Sequence, residues 1–83
     1  MSANLAEYAK IQRTILQHLF DKGTRVSVAD IEKLIGKGAS ETEYHIDQLR
    51  NRGHIAHDNY LSGGQSVRAY SITETGRKLI MES

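Results

Sequence analysis

Seven glycines and no proline punctuate this chain. Without a ring to break a helix, punctuation falls to the glycines at 23, 36, 38, 53, 63, 64 and 76, which divide the chain into short segments. Between them lie segments with a clear period. From Asn4 to Lys22, the residues Leu5, Tyr8, Ile11 or Gln12, Ile15, Leu16 and Leu19 recur at helical spacing, and Gly23 supplies a stop. Thr24-Arg25-Val26 reads as a brief strand. Ser27 with Asp30 opens a second helix whose apolar face is Val28, Ile31, Leu34 and Ile35, closed by Gly36-Lys37-Gly38. A third helix is expected from Ser40 to Arg52. Ser40 and Glu43 have capping-box spacing, Thr42, Ile46 and Leu49 share one side, and Gly53 closes the helix.

The C-terminal third changes period. His54 to Tyr60 and Val67 to Ile72 alternate with period two around Leu61-Ser62-Gly63-Gly64-Gln65-Ser66, which predicts a β-hairpin with a glycine-rich turn. Ile55, Val67, Ile72 and the tyrosines are its expected attachment to the helices. Thr73 then caps a short closing helix through Met81, with Glu74 near its positive end. The fold class is therefore α+β, mainly α: a three-helix core, a β-hairpin and a short C-terminal helix, read as one domain over residues 1–83.

Bulk properties narrow the function classes. The chain has no cysteine, which excludes disulfides and thiolate zinc sites and makes a cytoplasmic setting the expectation. No apolar run approaches the ~18 residues of a membrane span. Residues Met1–Lys10 lack the basic flank and apolar stretch of a secretory signal. Net charge is only +1, against the strong basic excess common in nucleic-acid binders. The C-terminal part is mildly basic, with Arg50, Arg52, Arg68, Arg77 and Lys78 against Asp58, Glu74 and Glu82. Of the four histidines, His54 and His57 fall on opposite faces of a strand and His18 and His45 on different helices, so neither a metal site nor a cofactor is expected. Gly36-Lys37-Gly38-Ala39-Ser40 lacks phosphate-loop spacing, and no nucleophile elbow occurs; an enzyme is not expected.

Two runs carry a family resemblance. Ile46-Asp-Gln-Leu49-Arg-Asn-Arg-Gly53-His-Ile55 resembles the end of the recognition helix in bacterial winged-helix regulators. Tyr70-Ser-Ile-Thr-Glu-Thr-Gly76-Arg-Lys-Leu79 resembles the stretch after the wing in MarR- and PadR-type transcriptional regulators, where a strand ends in Tyr-x-Leu-Thr-x-x-Gly. The resemblance implies a winged helix-turn-helix that binds double-stranded DNA, as a homodimer on a two-fold site. Full-length members add long dimerisation helices, and they usually start the recognition helix with hydroxyl, amide or basic residues where this chain has Glu41 and Glu43.

In a helix-turn-helix the second helix enters the major groove. On that basis Glu41, Tyr44, Gln48 and Asn51 face outward, with His45 and Arg52 at the edge. Gln48 is a candidate for adenine and Glu41 for the cytosine N4 amine. Tyr44 is placed to reach a phosphate or a thymine methyl group. Lys37, Ser40, Arg50 and Arg52 are candidates for backbone contacts, and Arg68 is expected at the wing tip. Each also reads as ordinary solvated surface. The competing reading is a winged-helix module whose acidic-polar face docks a protein. Binding of RNA or single strands ranks last, because few aromatics remain for stacking.

Overall fold

A computed structural model describes residues 2–82, with side chains from residue 5 onward. The elements in chain order are α1 (Ser2–Lys22), β1 (Val26–Ser27), α2 (Val28–Ile35), α3 (Ala39–Asn51), β2 (Ile55–His57), β3 (Tyr60–Ser62), β4 (Gln65–Val67), β5 (Ala69–Ile72) and α4 (Glu74–Met81). Strands β1, β5 and β2 form one antiparallel sheet with β5 in the middle, and β3 and β4 form a separate two-stranded arm. This is the winged helix-turn-helix arrangement, with α2 and α3 as the helix pair and β3–β4 as the wing.

The core joins both halves of the chain. Ile15, Leu16 and Leu19 of α1, Ile31 of α2, Ile46 and Leu49 of α3, Val26, Ile55, Tyr70 and Ile72 of the sheet and Ile80 of α4 form one buried cluster. Sheet and helices therefore stabilise each other, as so small a hairpin requires.

Local chemistry fixes the ends of the helices. The Ser27 hydroxyl accepts from the Asp30 amide, and Gly36 takes the left-handed conformation after α2. At the far end of α3 the Gly53 amide donates to the Arg50 carbonyl and the His54 amide to that of Leu49. That pair of bonds is a Schellman closure, and it needs the positive φ of Gly53. The Thr73 hydroxyl accepts from the Gly76 amide and donates to the Gly53 carbonyl, so the start of α4 is tied to the end of α3.

Three expectations are corrected. The capping box of Ser40 and Glu43 does not form. Helix α3 starts at Ala39 behind Gly38, which offers no side-chain cap, so Ser40 already lies inside the first turn. Glu43 instead makes a two-oxygen ion pair with Arg68, which outcompetes a single bond to a backbone amide. The hairpin is not continuous either. Asn59 Oδ1 accepts from the Ala69 amide in place of a ladder carbonyl, and Arg68 separates β4 from β5. The period is broken there, and Ala69 and Tyr70 are buried in succession. Lastly, Leu61, Ser62, Gln65 and Ser66 are strand residues. The turn is only Gly63-Gly64, both at positive φ, as a two-residue hairpin turn of type I′ demands.

Candidate nucleic-acid interface

One side of α3 is anchored by Thr42, His45, Ile46 and Leu49, all buried. The opposite side is a stripe of exposed residues at i, i+4, i+7 and i+11 spacing: Ser40, Tyr44, Asp47 and Asn51. Of the four residues expected to face outward, Tyr44 and Asn51 lie in this stripe, whereas Glu41 and Gln48 are half-buried; Ser40, expected only as a backbone contact, joins it. Asp47 was missed, although its spacing from Tyr44 and Asn51 placed it on the same line.

His45 is no edge residue. It is fully buried and belongs to a chain of hydrogen bonds between α3 and α1. Arg52 Nη1 donates to Gln12 Oε1 at 2.7 Å. With its carbonyl so occupied, Gln12 turns its amide NH2 to His45 Nδ1, at 3.0 Å. Nδ1 therefore accepts, and the ring is neutral with its proton on Nε2, to which no described residue offers an acceptor. Burial pushes the His45 pKa down, partly offset by Glu41. The rings of Tyr8 and Tyr44 lie against it, with centroids 4.9 and 5.4 Å away. The 42/45/46/49 spacing was that of an inward stripe, and only the polarity of histidine hid it.

The flank of α3 toward α1 holds Tyr44, Gln48 and Arg52, which line a small cleft with Leu5, Tyr8 and Gln12. Tyr44 leans on Tyr8, with ring centroids 5.5 Å apart. Gln48 is half-buried and accepts from Arg52 Nη2 at 3.3 Å. Both are thus partly committed within the fold. Glu41 lies on this margin too, 3.9 Å from Lys37, which also approaches Glu7 at the same distance.

The flank toward the wing holds two tighter groups. Arg68 donates to Glu43 at 2.5 and 3.1 Å and to the Tyr70 hydroxyl at 3.2 Å. It therefore stands at the base of the wing, not at its tip, because it bridges β5 to α3. The Arg68 hydrogen bond holds the Glu43 carboxyl below its usual range, and the carboxylate raises the guanidinium in turn. Arg50 donates from Nη2 to Asp47 at 3.3 Å and pairs Nη1 with His57 Nε2 at 2.8 Å. Arginine has only donors, so His57 Nε2 is the acceptor of this bond. Its ring lies 4.7 Å from that of Tyr70. A third cation, Arg25, pairs with Asp58 at 3.4 Å and sits over the Tyr60 ring at the root of the arm. Nothing in the sequence reading singled it out.

The face is thus charge-compensated. Lys37, Arg50 and Arg68 each have a carboxylate of α3 as partner, whereas Arg52 bonds neutral amides. The wing from Tyr60 to Val67 carries no charged side chain. Among the described residues, no three histidine, cysteine or acidic side chains gather as a metal site would require. No described helix is long and apolar enough to cross a membrane.

Known structures place the fold. A protein of Thermoplasma acidophilum described as a candidate transcriptional regulator superposes with a TM-score of 0.72 at 18% identity, over 93% of this chain and 77% of its own. A MarR family transcriptional regulator of Silicibacter pomeroyi gives 0.78 at 22% identity, over 98% of this chain and 53% of its own. ZitR of Lactococcus lactis, in an apo form, gives 0.76 at 16% identity, over 98% of this chain and 59% of its own. The chain thus spans little more than half the length of two of these three, and what it shares with them is the winged-helix fold. No protein-family model matches the sequence, and no curated protein matches it.

Proposed function

We propose that this chain binds double-stranded DNA in a sequence-specific way, as the reading module of a transcriptional regulator, with α3 in the major groove and the β3–β4 wing alongside. The observation that carries this reading is the exposed stripe Ser40, Tyr44, Asp47 and Asn51 on a helix whose opposite side is fixed in the core. A rigid helix with an ungapped polar ridge is what groove reading needs. Lys37, Arg50, Arg52 and Arg68 flank the ridge and are the candidates for phosphate contacts, which position the helix without specifying sequence. Binding as a homodimer to a two-fold site belongs to the same proposal. No catalytic role is assigned to any residue.

Titration of mixed-sequence duplex across salt tests this. Binding should weaken with salt along a log–log slope of about −0.9 per phosphate contact, which four flanking cations limit to about −4 per protomer. Binding that is absent at low salt refutes the reading.

One observation favours a second reading, a protein-docking module. Three carboxylates on α3 offset three of the flanking cations, which lowers the attraction to phosphate. Under that reading no duplex binds at any salt, and Glu43→Gln leaves that unchanged.

A further inference from the structure

The three carboxylates of α3 are not equivalent. Glu43 spends both oxygens on Arg68. Glu41 lies on the α1 margin opposite Lys37. Asp47 stands in the exposed ridge between Tyr44 and Asn51. It gives Oδ1 to Arg50, and its Oδ2 has no hydrogen bond to another described residue. The cytosine contact that the sequence suggested for Glu41 therefore fits Asp47 better by position.

Asp47 is also held in place. Arg50 is gripped at both ends of its guanidinium, by Asp47 on one side and by His57 on the other. His57 in turn lies against the ring of Tyr70, which is fully buried. A line of contacts thus runs from the core through His57 and Arg50 to the carboxylate. Charges facing this group from neighbouring elements are Glu43 on α3 and Arg68 before β5, and those two are paired with each other.

From these placements we infer that Asp47 is a specificity-determining residue that accepts a hydrogen bond from the N4 amine of cytosine, with Arg50 as its positioning residue. The inference rests on the DNA-binding reading above. An ionised carboxylate has only acceptors. In the major groove the only donors are the N4 amine of cytosine and the N6 amine of adenine, while guanine N7 and O6, adenine N7 and thymine O4 are acceptors. A carboxylate on the ridge of a groove-inserted helix is therefore satisfied by one of two bases and is desolvated and repelled by the others. Arg50 selects between the two, a base-reading role it takes at this position in place of the phosphate contact otherwise open to it. Its remaining N–H groups lie beside the carboxylate, and the edge of a C·G pair sets two adjacent guanine acceptors next to the cytosine donor. An A·T pair instead places single acceptors on either side of its donor.

The test is selection of sites from a random duplex pool by the full chain and by Asp47→Ala, followed by titration of the selected duplex with each of the four base pairs at the position concerned. The wild-type chain should select C·G at one position and lose about 5- to 150-fold on each replacement. Asp47→Ala should bind all four within about threefold, and the three replacements no more weakly than wild type does. Arg50→Gln should blunt the same discrimination while its melting temperature stays at the wild-type value, which a merely structural role does not predict. Unchanged preference in Asp47→Ala overturns the assignment. So does a uniform gain in affinity, which would mean the carboxylate lies beside phosphate. Selection of A·T at the Asp47-dependent position overturns the choice of cytosine. If the wild-type chain retains no duplex, the DNA-binding reading falls, and this inference with it.

Discussion

Replacing Gly76 by alanine should destabilise the fold, although the site is helical and alanine is the better helix former. The positive term is simple: Gly→Ala inside a helix gains up to about 1 kcal/mol. The opposing term comes from packing. Gly76 is buried in the first turn of α4, and a Cβ there would press into the His54 carbonyl oxygen and lie 2.7 Å from Ile72 Cγ1. The first obstacle is backbone at the Schellman closure of α3, so no rotamer change relieves it. Helix α4 would have to withdraw from β2 and β5, loosening the Thr73 cap and the burial of Ile80. Overpacking costs about 1–3 kcal/mol, and a clash with backbone that cannot yield lies in the upper part of that range, about 2–3, so the net loss is about 1–2 kcal/mol. For a domain of this size that lowers the melting temperature by about 4–8 °C per kcal/mol. Thermal denaturation followed by circular dichroism measures it, with Thr75→Ala as control. Thr75 is exposed in the same turn, and its replacement should raise stability slightly through propensity alone. A melting temperature for Gly76→Ala equal to or above wild type would refute the packing argument.

Further outcomes follow from the same geometry. Because burial lowers the His45 pKa in the fold, the unfolded chain binds more protons between that value and about 6.5. Stability is therefore full above about pH 6.5 and declines as pH falls through that window. Urea unfolding at pH 7.5 and 5.5 should show the decline in wild type and a smaller one in His45→Asn; equal declines count against the buried neutral ring. Glu43→Gln frees Arg68 and should steepen the salt dependence of duplex binding by about one unit. The same change should cost under about 1 kcal/mol of stability, because the pair is solvent-exposed; a larger loss in denaturant titration would make the bridge a structural pillar. Gly38→Ser supplies the missing cap of α3 and should stabilise by a few tenths of a kcal/mol. A drop in the urea midpoint would mean the loop at 36–38 cannot accept the side chain.

What the sequence made legible was local. Ser27 and Thr73 cap the helices they were assigned to, because each partner amide lies three residues on and nothing else competes. The run ending in Gly53-His54-Ile55 announced the end of α3 because a Schellman closure has its own short grammar. Features decided across the fold stayed hidden. Glu43 had the spacing of a cap, but its partner lies 25 residues away. His45 had the spacing of a core residue and the polarity of a surface one, and the Gln12–Arg52 pair that reconciles the two comes from distant segments. The alternation over 54–72 suggested one ribbon because no pattern of period two reveals that Asn59 will stand in for a carbonyl. For the proposed site, the ridge of α3 followed from helical spacing. That Glu43 spends both oxygens on one cation while Asp47 spends only one required the positions of Arg50 and Arg68.

The joint at Asn59 and Arg68 links two things that are usually considered apart. The arm beyond it pairs only with itself, so its posture is governed at its root. There Arg68 is clasped by a carboxylate of α3, while Arg25 and Asp58 brace the other strand. Under the proposed DNA binding, a phosphate drawing Arg68 toward itself would release one of these two moorings, so the posture of the arm would depend on how α3 meets the duplex.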